Sequence, residues 1–168
     1  MNTTVLINIF RFIGLLALQV VVFNRINLFD AINPYPYILF IMLFPVNGNR
    51  AALLLSAFFL GLCVDMFAGT SGPHATACVV LAYLRRPFFK LTFGISFEYQ
   101  TIKINDRLSP ERFSFIFICI VTHHLILYLL EVFQFSLILS TLLTTLYSTI
   151  FTLIISIIIV YLIKPAKE

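Results

Sequence analysis

The chain has 168 residues, of which 61% are hydrophobic and 11% charged, with a net charge of +4. Soluble domains are roughly half apolar and a quarter charged, and so short a chain cannot hide this much apolar surface in its own interior. With a mean hydropathy of +1.04, these values exclude a soluble globular domain. No basic run with interleaved aromatics points to nucleic acid, so a bilayer is the solvent that fits.

The first predicted span covers residues 4–23. The N-terminus lacks a basic leader and a small-residue cleavage site, so it reads as a retained span. Arg11 lies inside it, with a stem long enough to snorkel to a membrane surface. The second candidate, 35–46, is short and apolar, with Pro34, Pro36 and Pro45 around it. It reads as a short span or as a re-entrant segment covered by its neighbours. Tyr35 and Tyr37 suit an interfacial belt. Spans at 50–67 and 73–86 follow, joined by a Gly/Thr/Ser turn.

A basic loop over 85–112 comes next, with Arg85, Arg86, Lys90, Lys103, Arg107 and Arg112. Arg85, Arg86 and Lys90 are expected at the membrane surface. Residues 87–97 mix aromatics with cations, as a segment lying on an anionic leaflet would. Residues 92–105 alternate apolar and polar, a weak strand signal. Ser109-Pro110-Glu111 is a helix start, with Ser as N-cap, Pro at the first position and an acid at the positive dipole end. The fifth span runs over 110–133 and the last over 136–163, long enough to tilt or pass the interface. The basic loop and the terminal Lys164 and Lys167 belong on the cytoplasmic side. Charge alone allows five or six spans. Six are preferred because 35–46 is wholly apolar.

The chain therefore reads as one all-α integral membrane domain with no internal repeat. Its ionisable groups inside apolar runs are the site candidates, because such groups are costly in a bilayer. Ala57, Gly61 and Asp65 recur at i, i+4 and i+8 and share a helix face. Ala57 and Gly61 form a small-xxx-small pair that admits a second helix. Asp65 either faces a packed interface or an outward pocket, or caps the next helix. His74 follows Gly72-Pro73 across the turn, where it and Asp65 are placed to pair. His123 and His124 lie near the midplane, about 100° apart around the helix, so they do not chelate one ion together. His124, Tyr128 and Glu131 share a face, suited to a proton relay, a ligand site or an interhelical hydrogen-bond network. The last span aligns Thr141, Thr145, Ser148, Thr152 and Ser156 for close packing. Cys63, Cys78 and Cys119 fit neither a zinc site nor a disulfide framework. No nucleophile–base pair, phosphate loop, metal motif or cofactor motif is recognisable.

The stretch GLCVDMFAGTSGPHATACVVLAYLRRP, residues 61–87, resembles the signature of the MreD family of bacterial rod shape-determining membrane proteins. IVTHHLILYLLEVFQFS, residues 120–136, is similar to the fifth helix of some members. Chain length, the short second span, the basic loop and the terminal lysines agree. The loop over 93–108 departs from the family pattern. The resemblance implies a six-helix fold like the substrate-binding (S) component of energy-coupling-factor (ECF) vitamin transporters, multi-pass in the bacterial inner membrane, with a cytoplasmic C-terminus. It implies a non-catalytic, cofactor-free scaffold of cell elongation that pairs with the bitopic protein MreC. Through it the cytoplasmic MreB filament is linked to the peptidoglycan synthases, RodA and a class B penicillin-binding protein. It marks Asp65, Gly69, Gly72 and His74 as signature residues. The alternative is a vitamin-capturing transporter subunit, although the first helix offers only Gly14-xxx-Leu18 and Ala17-xxx-Val21 where such subunits often use Ala-xxx-Ala. A small intramembrane enzyme using His124 and Glu131 is the remaining alternative.

Overall fold

The fold is that of a computed structural model describing residues 3–26, 32–94, 109–133 and 135–162. Lys103, Arg107, Lys164, Lys167 and nearly all of the loop over 93–108 lie outside the described residues. Among the described residues six α-helices follow in order: α1 (Thr3–Val21), a short α2 (Leu39–Leu43) entered through a 3₁₀ turn at Pro36–Ile38, α3 (Arg50–Ala68), α4 (Pro73–Phe93), α5 (Pro110–Val132) and α6 (Ile138–Leu162). No strand occurs among the described residues. Four helical stretches are long and apolar enough to cross a membrane, Thr3–Arg25, Arg50–Ala68, Pro110–Val132 and Ile138–Leu162.

The caps follow from local sequence. Asn49 accepts from the Ala51 amide at 2.8 Å and starts α3. Ser109 accepts from the Arg112 amide at 3.4 Å and starts α5, with Pro110 at its first position, as expected. α4 runs past its predicted end at residue 86, through Pro87, to Phe93. Proline removes one backbone donor, and Phe89 holds the extra turns by stacking on Phe115 at 4.2 Å between ring centroids. Of the strand signal, residues 92–94 are described: 92 and 93 are helical and Gly94 ends the helix.

The polarity of the bundle is inverted relative to a soluble protein. On α6 the hydroxyls of Thr141, Thr145, Ser148, Thr152 and Ser156 are buried, while Leu139, Leu142, Leu146, Ile150 and Ile154 are exposed. α1 likewise exposes Val5, Ile9, Phe10 and Ile13. Water would oppose this arrangement and hydrocarbon favours it. The stripe expected on α6 is thus an inward face.

α3 packs on α4, α4 on α5 and α5 on α6, and the 36–43 segment lies among α1, α4 and α6. Tyr35 and Tyr37, expected at an interface, are buried in this core, Tyr37 completely. The α3–α4 contact is closest at Gly61, where a Cβ would lie 2.5 Å from Ala75 Cα and 2.6 Å from the His74 carbonyl oxygen. These are backbone atoms and cannot rotate away. At Gly14 on α1 a Cβ would meet nothing within 4 Å. Gly61→Leu is therefore expected to destabilise the bundle by about 3 kcal/mol or more through overpacking, while Gly14→Leu leaves it unchanged. Thermal unfolding of both variants in mild detergent checks this, and equal midpoints would refute the contact.

Candidate functional site

Besides the hydroxyl face of α6, polar groups of the interior gather at the α3–α4 turn and at the end of α2. At the turn, Gly69 closes α3 with φ of 72° and Gly72 precedes α4 with φ of 108°, both left-handed. Neither has atoms within 4 Å of a built Cβ, so their role is to reverse the chain.

Gly72 has no side chain to cap α4, and Pro73 has no amide hydrogen. Asp65 supplies the cap from the neighbouring helix. Its Oδ1 accepts from the His74 amide at 3.1 Å and its Oδ2 from the Ala75 amide at 2.8 Å. Thr70 Oγ1 donates to Oδ1 at 2.5 Å. The carboxylate is only 2% exposed and sits at the positive end of the α4 dipole. Of the two roles open to Asp65, the structure shows the cap. Asp65 does meet His74, but at its main chain; the imidazole turns inward. Ala57 and Gly61 lie buried on the same face of α3.

The His74 ring belongs to a buried chain. Tyr37 Oη lies 2.9 Å from His74 Nδ1 and 2.9 Å from His123 Nε2. His74 Nε2 lies 4.0 Å from Glu131 Oε1. Among the described residues His123 Nδ1 has no hydrogen-bond partner. As neutral rings, each imidazole has one N–H and one lone pair, and a hydroxyl between two ring nitrogens donates to one and accepts from the other. If His123 Nε2–H donates to Tyr37 and Tyr37 donates to His74 Nδ1, then His74 Nε2–H points at the carboxylate and the orphan is a lone pair. The reverse order orphans a buried N–H and sets a lone pair against a carboxylate. Buried orphan donors are the rarer and costlier kind, so the geometry favours the first order.

His124 faces α6. Its Nδ1–H donates to the Ile120 carbonyl at 2.9 Å, and its Nε2 accepts from Thr152 Oγ1 at 3.0 Å. Thr152 Oγ1 in turn accepts from the Tyr35 amide at 3.1 Å, tying the loop before α2 to α6. Tyr128 donates to Ser148 Oγ at 2.7 Å. The expected stripe of His124, Tyr128 and Glu131 therefore divides: the first two bind α6, and Glu131 turns to His74 on α4. Sequence reasoning set Tyr37 and His123 apart from the site, although they form its centre. The available signal was a hydroxyl placed by prolines inside a wholly apolar segment, where it needs a partner.

The second cluster corrects two expectations. Arg85, placed at the membrane surface by its charge, is 3% exposed. It donates to the Met42 carbonyl at 3.2 Å and to the Phe44 carbonyl, and lies 4.8 Å over the Phe89 ring. Arg11, expected to snorkel, is half-buried and donates to the Leu43 carbonyl at 3.1 Å. Both guanidinium groups satisfy carbonyls that the end of α2 leaves unpaired. Arg86 and Lys90 are exposed, as a surface role requires.

Among the described residues no three His, Cys, Asp or Glu side chains converge as a metal set would. The three cysteines are free thiols, with Cys78 and Cys119 buried. Cys78 Sγ lies 3.9 Å from His123 Nε2. Beside the turn a groove of about 740 Å³ opens between α3, α4 and the end of α5, with Glu131 on its wall. No protein-family model, curated protein or solved structure matches the chain.

Two outcomes follow from these bonds. Asp65→Ala leaves three donors without an acceptor and is expected to cost about 2–3 kcal/mol, against about 1 kcal/mol for Asp65→Asn, which keeps one acceptor oxygen. Chemical unfolding of both variants ranks them, and an Asn variant as unstable as Ala would contradict the cap. Nitrogen-15 spectra of the ring nitrogens should show Nε2–H tautomers at His74 and His123 and an Nδ1–H tautomer at His124. Tyr37→Phe should perturb the first two and spare the third.

Proposed function

We propose that the chain is a non-catalytic scaffold of the membrane-embedded cell-elongation machinery of bacteria, as its resemblance to MreD implies. The observation that carries this reading is what happens to the reactive-looking residues of the 61–87 stretch. Asp65 accepts three donors and shapes the α3–α4 hairpin. His74 and Tyr37 bind one another inside the core. Residues serving the hairpin in this way suit a rigid docking element better than a reaction centre.

The same reading takes the protein as a six-pass chain of the S-component type in the inner membrane, with both termini cytoplasmic. The 36–43 segment supports the sixth pass. Its start meets α4 at His74 and its end meets α4 at Arg85. Those two levels are about 16 Å apart at 1.5 Å per residue. A short, fully covered segment can thus connect the outer end of α1 with the inner start of α3. Arg85 and Arg11 make its broken backbone tolerable by satisfying the carbonyls where it ends.

The partner on this reading is an MreC-like bitopic protein, linked in turn to MreB, RodA and a class B penicillin-binding protein. The protein solubilised from its native membrane in mild detergent should co-purify with such a partner. A clean monomer would count against the scaffold. A small molecule retained through purification and seen by mass spectrometry would instead favour the vitamin-capturing subunit.

A further inference from the structure

The geometry points to a second use of the groove beside the hairpin: it seats a single-pass membrane helix of another protein that carries one lysine or arginine at its outward interfacial turn. This deepens the scaffold reading and rests on it for the occupant being a protein helix. The walls are mostly apolar, with Phe58 and Leu62 from α3, Val79 and Val80 from α4 and Leu130 from α5. On the α4 side, Gly72, Ala75 and Thr76 are small, and small residues let a second helix approach closely. A groove of about 740 Å³ is far less than a whole helix of about 10 Å diameter, so it takes one flank of a helix and the stem of a long side chain.

Glu131 supplies the charge. Its side chain is 28% exposed, and among the described residues its ion-pair contact is His74 Nε2 at 4.0 Å, beyond hydrogen-bond reach. Thr70 and Thr76 already donate to Asp65 and to the Gly72 carbonyl. Glu131 is thus a carboxylate at the outer boundary with acceptor capacity left. A cation reaching it would keep its aliphatic stem on the apolar wall and its head at the interface.

A phospholipid headgroup fits less well. The N-terminus of α4, which would ordinarily attract a phosphate, is already filled by Asp65. A phosphate beside it would face two carboxylates. The groove therefore selects a cation with an apolar body and no accompanying anion, which is what an arginine or lysine on a membrane helix presents.

The test uses the full chain, fluorescently labelled in phosphatidylcholine vesicles. The probes are three leucine/alanine host peptides long enough to span, carrying Arg, Leu or Glu at one outward interfacial position. Energy transfer should show the Arg peptide binding about fivefold more tightly than the Leu peptide, the range of interhelical polar pairs in membranes. Glu131→Gln should erase that preference, and Glu131→Lys should transfer it to the Glu peptide. Equal binding of the Arg and Leu peptides to the unaltered protein would overturn the proposal. So would a preference that survives Glu131→Gln, or loss of the Arg peptide when phosphatidylethanolamine is added, which would mark a lipid site. A peptide preference without any co-purifying native partner would sink the elongation assignment and leave the groove standing. Native co-purification unaltered by Glu131→Gln would sink the groove alone.

Discussion

The end of the bundle at the α3–α4 turn depends on one carboxylate accepting the amides that open a neighbouring helix. The start of α4 is badly equipped to end itself, with glycine at the cap and proline at the first position. In water, solvent would complete the missing bonds. In hydrocarbon each unsatisfied amide costs several kcal/mol. Asp65 reaches across from α3 and fixes the two helices in register. That register in turn brings Gly61 against the backbone of His74 and Ala75, where no side chain fits. The cap, the glycine contact and the two left-handed glycines of the turn are therefore one device. Each has a purpose only if the others are present.

A second device closes the opposite end of the bundle by the same rule with the charges reversed. The 36–43 segment ends in carbonyls that have no amide partners along the chain. Arginine suits this position because its fork offers several donors and is less strongly hydrated than an ammonium. Arg85 reaches three carbonyls, those of Met42, Phe44 and Pro45, and Arg11 a fourth, from helices on different sides of the segment. Between the two devices lies the Tyr37, His74 and His123 chain, so the segment is held at its head by a hydroxyl and at its foot by two cations.

The long helices, the start of α5 and the inward stripe of α6 were legible in the sequence. Ser and Pro at a helix start and hydroxyls at helical spacing act locally, within a few residues. The cap by Asp65 was legible as one of two roles. What escaped was every interaction set by distant pairing. Tyr37 and His123 are 86 positions apart, and nothing along the chain states that they meet. Arg85 misled for a physical reason. Loop-charge reasoning assigns cations to surfaces, and Arg86 and Lys90 obey it, but a guanidinium beside a broken helix finds carbonyls in the interior. Tyr35 and Tyr37 misled in the same way, since an interfacial aromatic and a buried hydroxyl donor share one residue type.

The two acids near the α3–α4 turn make the remaining distinction. Asp65 and Glu131 carry the same group and both approach His74. Asp65 meets its amide inside a closed cap, with both oxygens receiving donors. Glu131 meets its ring at 4.0 Å from the rim of an open groove. Burial has committed the first to the fold. The second retains acceptor capacity at a boundary where a long cation can arrive without leaving its own apolar stem in water. Its ion-pair contact among the described residues is with His74, whose ring also receives the Tyr37 hydroxyl, so that imidazole lies between the rim of the groove and the buried segment.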